Sequence, residues 1–114
     1  MNYVNYTPHD VKVVKADGIQ VYPASGSTIR ISSRRVLVGT EGGVDLFTTV
    51  YGEPETVVGG VATPGLPPPQ EGVKIIVSGL VRDKCPTRHD LVSPGDQVRD
   101  EKGAVVGCRS FDTN

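Results

Sequence analysis

The chain has 114 residues and a formal net charge of −1. It is long enough for one modest core and lacks the global basic field of a sequence-independent nucleic-acid binder, so long nucleic acid is not an expected partner. Hydrophobic residues make up only 37%, and 14 glycines with 9 prolines mark many turns, a profile of short strands rather than long helices. No apolar run reaches the roughly 18–20 residues that cross a bilayer, and the first residues lack the charged start and apolar centre of a signal peptide, so the expected location is the cytoplasm and no membrane partner is expected.

Taken in order, Asn2 to Tyr6 alternates polar with aromatic or β-branched residues and predicts a first strand. Thr7-Pro8-His9-Asp10 is a turn, because Pro8 fixes its own φ and pushes Thr7 into an extended conformation. Val11 to Lys15 is a second strand, Asp17-Gly18 a hairpin turn, and Ile19 to Tyr22 the returning strand. After a loop at Pro23–Ser27, Thr28 to Ile31 forms a fourth strand. Ser32 to Arg35 reads as a polar interruption, and Val36 to Val38 resumes strand character. Glu41-Gly42-Gly43 is a turn. Val44 to Tyr51 is the longest central strand candidate, with Leu46 toward the core and Phe47 and Thr49 on the other side, and Gly52-Glu53-Pro54-Glu55 ends it.

Residues 59–72 are rich in proline and glycine and predict an irregular internal loop or extended polyproline segment. Val73 to Val77 is apolar except for Lys74, the pattern of a central strand buried on both faces. Ser78 is placed to cap a short helix over Gly79–Lys84, ended by Pro86. Leu91-Val92 adds a short strand, Ser93 to Asp96 a turn, and Gln97–Asp100 with Ala104–Phe111 a final hairpin across Glu101-Lys102-Gly103. The fold class is mainly β, α+β at most: a single small domain over residues 1–114, of short, mostly antiparallel strands with one short helix after Val77.

The chemistry is sparse. His9-Asp10 and His89-Asp90 resemble metal-binding dipeptides only superficially, because two histidines are too few for a metal set, and no metal or other cofactor is expected. Cys85 and Cys108 lack metal-motif spacing and read as free, buried thiols of a reducing compartment. No Gly-x-Ser-x-Gly elbow and no phosphate-cradling Gly-rich loop is present, so no catalytic residue is assigned. Ser78-Gly79 offers free backbone N–H groups at a helix start, which suit a cap or an anion. Arg82, Arg88, Arg99 and Arg109 are interleaved with Asp83, Asp90, Asp96 and Asp100. One reading pairs these arginines with the carboxylates; the other leaves one or two free to grip a phosphate through parallel N–H bonds. Tyr3, Tyr6, Tyr22 and Tyr51 supply stacking faces or core contacts.

Two separated stretches carry a resemblance. Asn5-Tyr6-Thr7-Pro8-His9-Asp10 followed by a β-branched strand resembles the opening of a group of short phage and bacterial proteins. Residues 71–81 (EGVKIIVSGLV), Arg88-His89-Asp90 and residues 93–111 (SPGDQVRDEKGAVVGCRSF) resemble that group's closing part. The resemblance implies a phage or prophage origin and carries no activity with it. Small phage proteins of this size often act in host takeover or counter-defence, an association rather than a physical argument.

Three functions follow as expectations. The first is sequestration, without turnover, of a small phosphorylated ligand such as a nucleotide immune signal, by Asn5, Thr7, His9, Ser78, Arg82, Arg88, Arg99 and Arg109 around one pocket shared by the Asn5–His9 turn and the Ser78–Arg88 segment. The second is inhibition or adaptation of a host protein through the proline-rich segment and a sheet edge. The third is a metal-independent phosphodiesterase or lyase using His9 or His89. Free sheet edges on a limited core also favour a homo-oligomer.

Overall fold

β-branched segments punctuated by turns give nine strands, two of them 15 residues long, and one helix in a computed structural model that describes all residues from Met1 to Asn114. The strands are β1 (Asn2–Asn5), β2 (Val11–Lys15), β3 (Gly18–Tyr22), β4 (Ser27–Glu41), β5 (Val44–Val58), β6 (Val61–Pro64), β7 (Val73–Ile76), β8 (Leu91–Arg99) and β9 (Val105–Thr113). The helix α1 (Gly79–Lys84) lies between β7 and β8. The protein is mainly β, with its one short helix directly after Val77.

Six strands form one mixed sheet in the order β1-β7-β8-β9-β2-β3. β8–β9 and β2–β3 are antiparallel, whereas β1–β7, β7–β8 and β2–β9 are parallel. The sheet curls until its two edges meet. Asn5 bridges to Ala24 just beyond β3, and the Tyr3 and Tyr22 rings pack edge to face 5.5 Å apart. Inside the curl sit Val11, Val13, Ile76, Val92 and Cys108, closed by Tyr3, Tyr22 and Phe111. On the outside, Ile75, Val77 and Leu91 pack against Val81 and Cys85 of the α1 segment and Ile29 of β4, with Tyr6, Ile31 and Leu66 at the margin. Because Ile75 pairs with Leu91 and Ile76 with Val92, β7 and β8 feed both clusters alternately. This is why Val73–Val77 reads as continuously apolar. Fully burying each such side chain contributes about 1.5–3 kcal/mol.

The other sheet, β4-β5-β6, is mostly one long hairpin. Its base is anchored by Ile29, and its distal part, residues 32–52, extends away from the core as an arm. The radius of gyration of 16.8 Å exceeds the roughly 13 Å expected of a compact chain of this length.

Several predicted breaks are continuous strand. β4 runs through Ser32–Arg35, and β5 runs through Gly52–Glu55 to Val58. The polar and turn-forming residues there sit at irregularities of the ladder rather than at strand ends. Gly52 and Glu53 bulge opposite Ser32, between the pairs Ile31–Pro54 and Ser33–Tyr51. A Cβ on Gly52 would lie 2.7 Å from Ser32 Oγ, so a larger residue there would force the Ser32 hydroxyl to turn away. Bulges also tolerate proline, which accounts for Pro54. Within 59–72, Gly59 and Gly60 both have positive φ and make a two-residue turn that returns the chain as β6. Ser93–Asp96 is likewise strand, although Asp96 takes φ 47°. A Cβ at Gly95 would lie 2.7 Å from the exposed Asp112 carboxylate, so a larger residue there would have to displace that side chain. The final hairpin and the Ser78-capped helix are as predicted.

Candidate functional site

The Asn5–Asp10 turn is held by one buried side chain. Asn5 Nδ2 donates to the carbonyls of His9 at 2.7 Å and Tyr22 at 2.9 Å, while Oδ1 accepts from the Thr7 N–H at 2.9 Å and hydroxyl at 2.6 Å. Thr7 Oγ1 also lies 2.9 Å from the His9 carbonyl oxygen, and Asp10 accepts from the Ala24 N–H at 3.0 Å. Pro8 contributes a fixed φ and no donor. The motif that opens the chain is thus a self-contained knot that fastens β1 to the β2–β3 hairpin, with the polar atoms of Asn5 engaged inside it.

Ser78 accepts from the Val81 N–H at 3.3 Å and caps α1. At the other end of the helix, Asn114 Nδ2 lies within hydrogen-bond distance of the carbonyls of Arg82, Cys85 and Arg88. Arg82 donates through Nε to Ser93 Oγ at 2.8 Å, reaches Asn114, and pairs with Asp83 at 3.1 Å. Arg88 grips Asp90 with two parallel bonds of 2.8 Å and adds a third to the Pro67 carbonyl. That fork raises the Arg88 pKa and holds Asp90 below its ordinary value, chiefly by the hydrogen bonds themselves. The proline-rich segment is thereby pinned over the outer face of β7.

Arg99 lies at the start of the β8–β9 turn and donates to the Gly103 carbonyl at 2.7 Å and to Gln97. Arg109 projects from β9 with no ion pair in the chain. The register sets these groups apart. β1, β7 and β8 run in the same direction, so Ser78 and the Asn5–His9 turn share the ends of β1 and β7, whereas Arg88 and His89 precede β8. Arg99 sits seven residues beyond Val92, at the far tip of β8. The predicted residues therefore occupy several places, and Arg82, Arg88 and Arg99 already hold partners. His9 follows β1 and His89 precedes β8, and His89 Nδ1 faces the Asn114 carbonyl at 3.2 Å.

Cys85 and Cys108 are free, buried, and in different clusters, and burial raises both thiol pKa values. No group of three or more His, Cys, Asp or Glu side chains is arranged to hold a metal ion.

Two surfaces lie outside the sequence-predicted set. One is a cleft of about 380 Å³ at the β2–β9 seam, walled by Val11, Val105, Val106 and Pro94 and rimmed by Lys12, Asp10 and Gln97. The seam is open because β2 and β9 share only the Val13–Cys108 pairing, where Gly107 lets the Lys12 carbonyl approach. The other is the arm. Leu37 is 53% exposed, Val38 63%, Val44 61% and Phe47 44%, with Leu46, Val50 and Tyr51 also exposed. Leu46, expected toward a core, meets none.

No family model, curated protein or solved structure matches the chain.

Registry assigns the arm two faces. Directly paired residues share a face, so Tyr51, Arg35, Leu37 and Phe47 lie on one, and Arg34, Val50, Val36, Leu46 and Val44 on the other. On the first face, cations cover the rings: Arg35 lies 4.1 Å from the Phe47 centroid and Lys84 Nζ 4.4 Å from that of Tyr51. The second face carries no such cover. The last bond on the outer edge of β5 runs from the Gly65 N–H to the Pro54 carbonyl at 2.9 Å, and from there to the tip both edges of the ribbon are free as well. The sequence signal for this surface was a pair of β-prone segments, Val36-Leu37-Val38 and Val44–Tyr51, flanking Gly42-Gly43. It reads as core unless the absence of a third covering layer is known.

Proposed function

We propose that this chain is a non-catalytic protein-interaction module of the cytoplasm whose working surface is the β4–β5 arm. The observation that carries this reading is the arm itself: a two-stranded ribbon with apolar residues exposed on both faces and both edges unpaired. An isolated two-stranded hairpin is marginal in water, and long apolar edges normally end against a partner. In the phage setting that the opening and closing motifs resemble, such a module suits an adaptor or inhibitor acting on a polypeptide. The test shortens the arm by joining Ser33 to Tyr51 through an Asn-Gly turn. The shortened chain should keep its circular dichroism and lose association with any polypeptide the intact chain binds. Undiminished association would remove the reading.

Sequestration of a small phosphorylated ligand is a second reading, favoured by the 380 Å³ cleft, whose volume falls in the range of ligand sites and whose rim sets Lys12 and Gln97 beside the Asp10 carboxylate. Calorimetric titration with cyclic and linear nucleotides tests it. Binding lost in Lys12→Ala supports it, and silence across the panel rules it out.

A further inference from the structure

We infer that the partner of the arm is a second copy of this chain, joined edge to edge along β4 about a two-fold axis at Leu37. This deepens the proposed function and rests on it. β4 is an edge strand, and none of the backbone hydrogen bonds outside the regular ladder involves residues 33–41. The edge lacks proline and lysine, and the features it does carry that can block strand addition, the charges of Arg34, Arg35 and Glu41 and a bulge at Val38, fall at matched places in the register proposed.

What selects a second copy is the charge pattern. Val38 is the extra residue of a bulge, because the register passes from Leu37–Phe47 to Gly39–Leu46. With Val38 set aside, Arg34 lies three ladder steps before Leu37 (36, 35, 34) and Glu41 three steps after it (39, 40, 41). An antiparallel pairing centred on Leu37 therefore sets Arg34 of each copy opposite Glu41 of the other, twice per dimer. Without the bulge, residues 34 and 41 would point to opposite faces, since side chains alternate with period two. With it, both lie on the face that carries Val36, Leu46 and Val44. Neither Arg34 nor Glu41 has an ion-pair partner within the chain.

The same register matches the other face. Leu37 meets its own symmetry mate, with a Phe47 beside each. Arg35 comes opposite Thr40, whose hydroxyl is bonded to Asp45 at 3.0 Å. A two-fold axis perpendicular to the ribbon keeps like faces together, so one operation satisfies both faces at once. The product is a four-stranded antiparallel sheet built from two arms, with β4 no longer an edge.

Sedimentation equilibrium of the full chain tests this. The wild type should have twice the 12.1 kDa chain mass. Arg34→Glu and Glu41→Arg, each placing like charges opposite one another twice, should each weaken dimerisation about tenfold, and the double exchange Arg34→Glu/Glu41→Arg should restore it. Circular dichroism checks that each variant is folded. A wild-type chain that stays at 12.1 kDa overturns the inference, as does a double exchange no tighter than the single variants. If the chain alone is monomeric but binds another polypeptide through the arm, this inference fails while the proposed function stands.

Discussion

The curled six-stranded sheet and the β4–β5 arm are built from the same residue types and differ in what those residues touch. In the curled sheet, Ile76, Val77 and Leu91 are wholly buried, and every buried side-chain polar atom has a hydrogen-bond partner. In the arm, Leu37, Val38 and Val44 keep more than half their surface in water, though their strands are the longest in the molecule. Strand pairing is thus complete in both regions, local in the arm and long-range in the curled sheet, where β1 pairs with β7 and β2 with β9, while the energy that holds a tertiary structure is concentrated in the curled sheet. The difference teaches that the arm is a completed secondary structure awaiting a tertiary or quaternary one.

Changes in the curled sheet should have the largest effect on folding. Leu91→Ala removes a wholly buried side chain from the outer cluster and should cost about 2–5 kcal/mol in urea unfolding. Asn5→Ala should cost about 2–4 kcal/mol, because it strips partners from the Thr7 N–H and from the His9 and Tyr22 carbonyls. A cost below about 0.5 kcal/mol at either position would place the stability elsewhere.

The Arg88–Asp90 fork adds a pH-dependent contribution. The folded pKa of Asp90 is depressed by Arg88, so the stabilisation is present above the unfolded value near 3.9 and is lost as pH falls through the folded value. Asp90→Asn should therefore cost about 1–3 kcal/mol at neutral pH and flatten the acid limb of the stability profile. An unchanged acid limb would show that the fork contributes nothing in solution.

Arm substitutions should barely register in the folding of a single chain. Val44→Thr, at a position more than half exposed, should shift chain stability by less than about 0.5 kcal/mol. A larger shift in dilute protein would mean that the arm is packed within its own chain.

The legible parts of the sequence are those governed by local rules. Ser78 before Gly79–Lys84 announced a capped helix, and apolar Val73–Val77 announced a strand buried on two faces. Glu101-Lys102-Gly103 announced the last turn. What local rules conceal is length and context. Ser32–Arg35 and Gly52–Glu55 look like strand ends taken separately. Set opposite each other, they form a bulge in one long ladder, and their match depends on a pairing no single segment encodes. The arginines illustrate the same limit. Their spacing in the chain suggested one cluster, but the parallel β7–α1–β8 crossover and the long β8–β9 hairpin set Ser78, Arg88 and Arg99 apart. Arg88 alone finds a forked carboxylate, two residues away. Asn5 and Thr7 were expected to line a ligand pocket, and their polar atoms are instead engaged with each other and with the His9 and Tyr22 carbonyls.

The most direct measurement is hydrogen exchange read separately for residues 33–51 and for the β7 and β8 segments as the protein is diluted. The account predicts slow exchange in the β7 and β8 segments at every concentration, and arm protection that is present in concentrated protein and lost on dilution. Arm exchange that is equally fast at all concentrations, or equally slow, would contradict an arm held by a second copy.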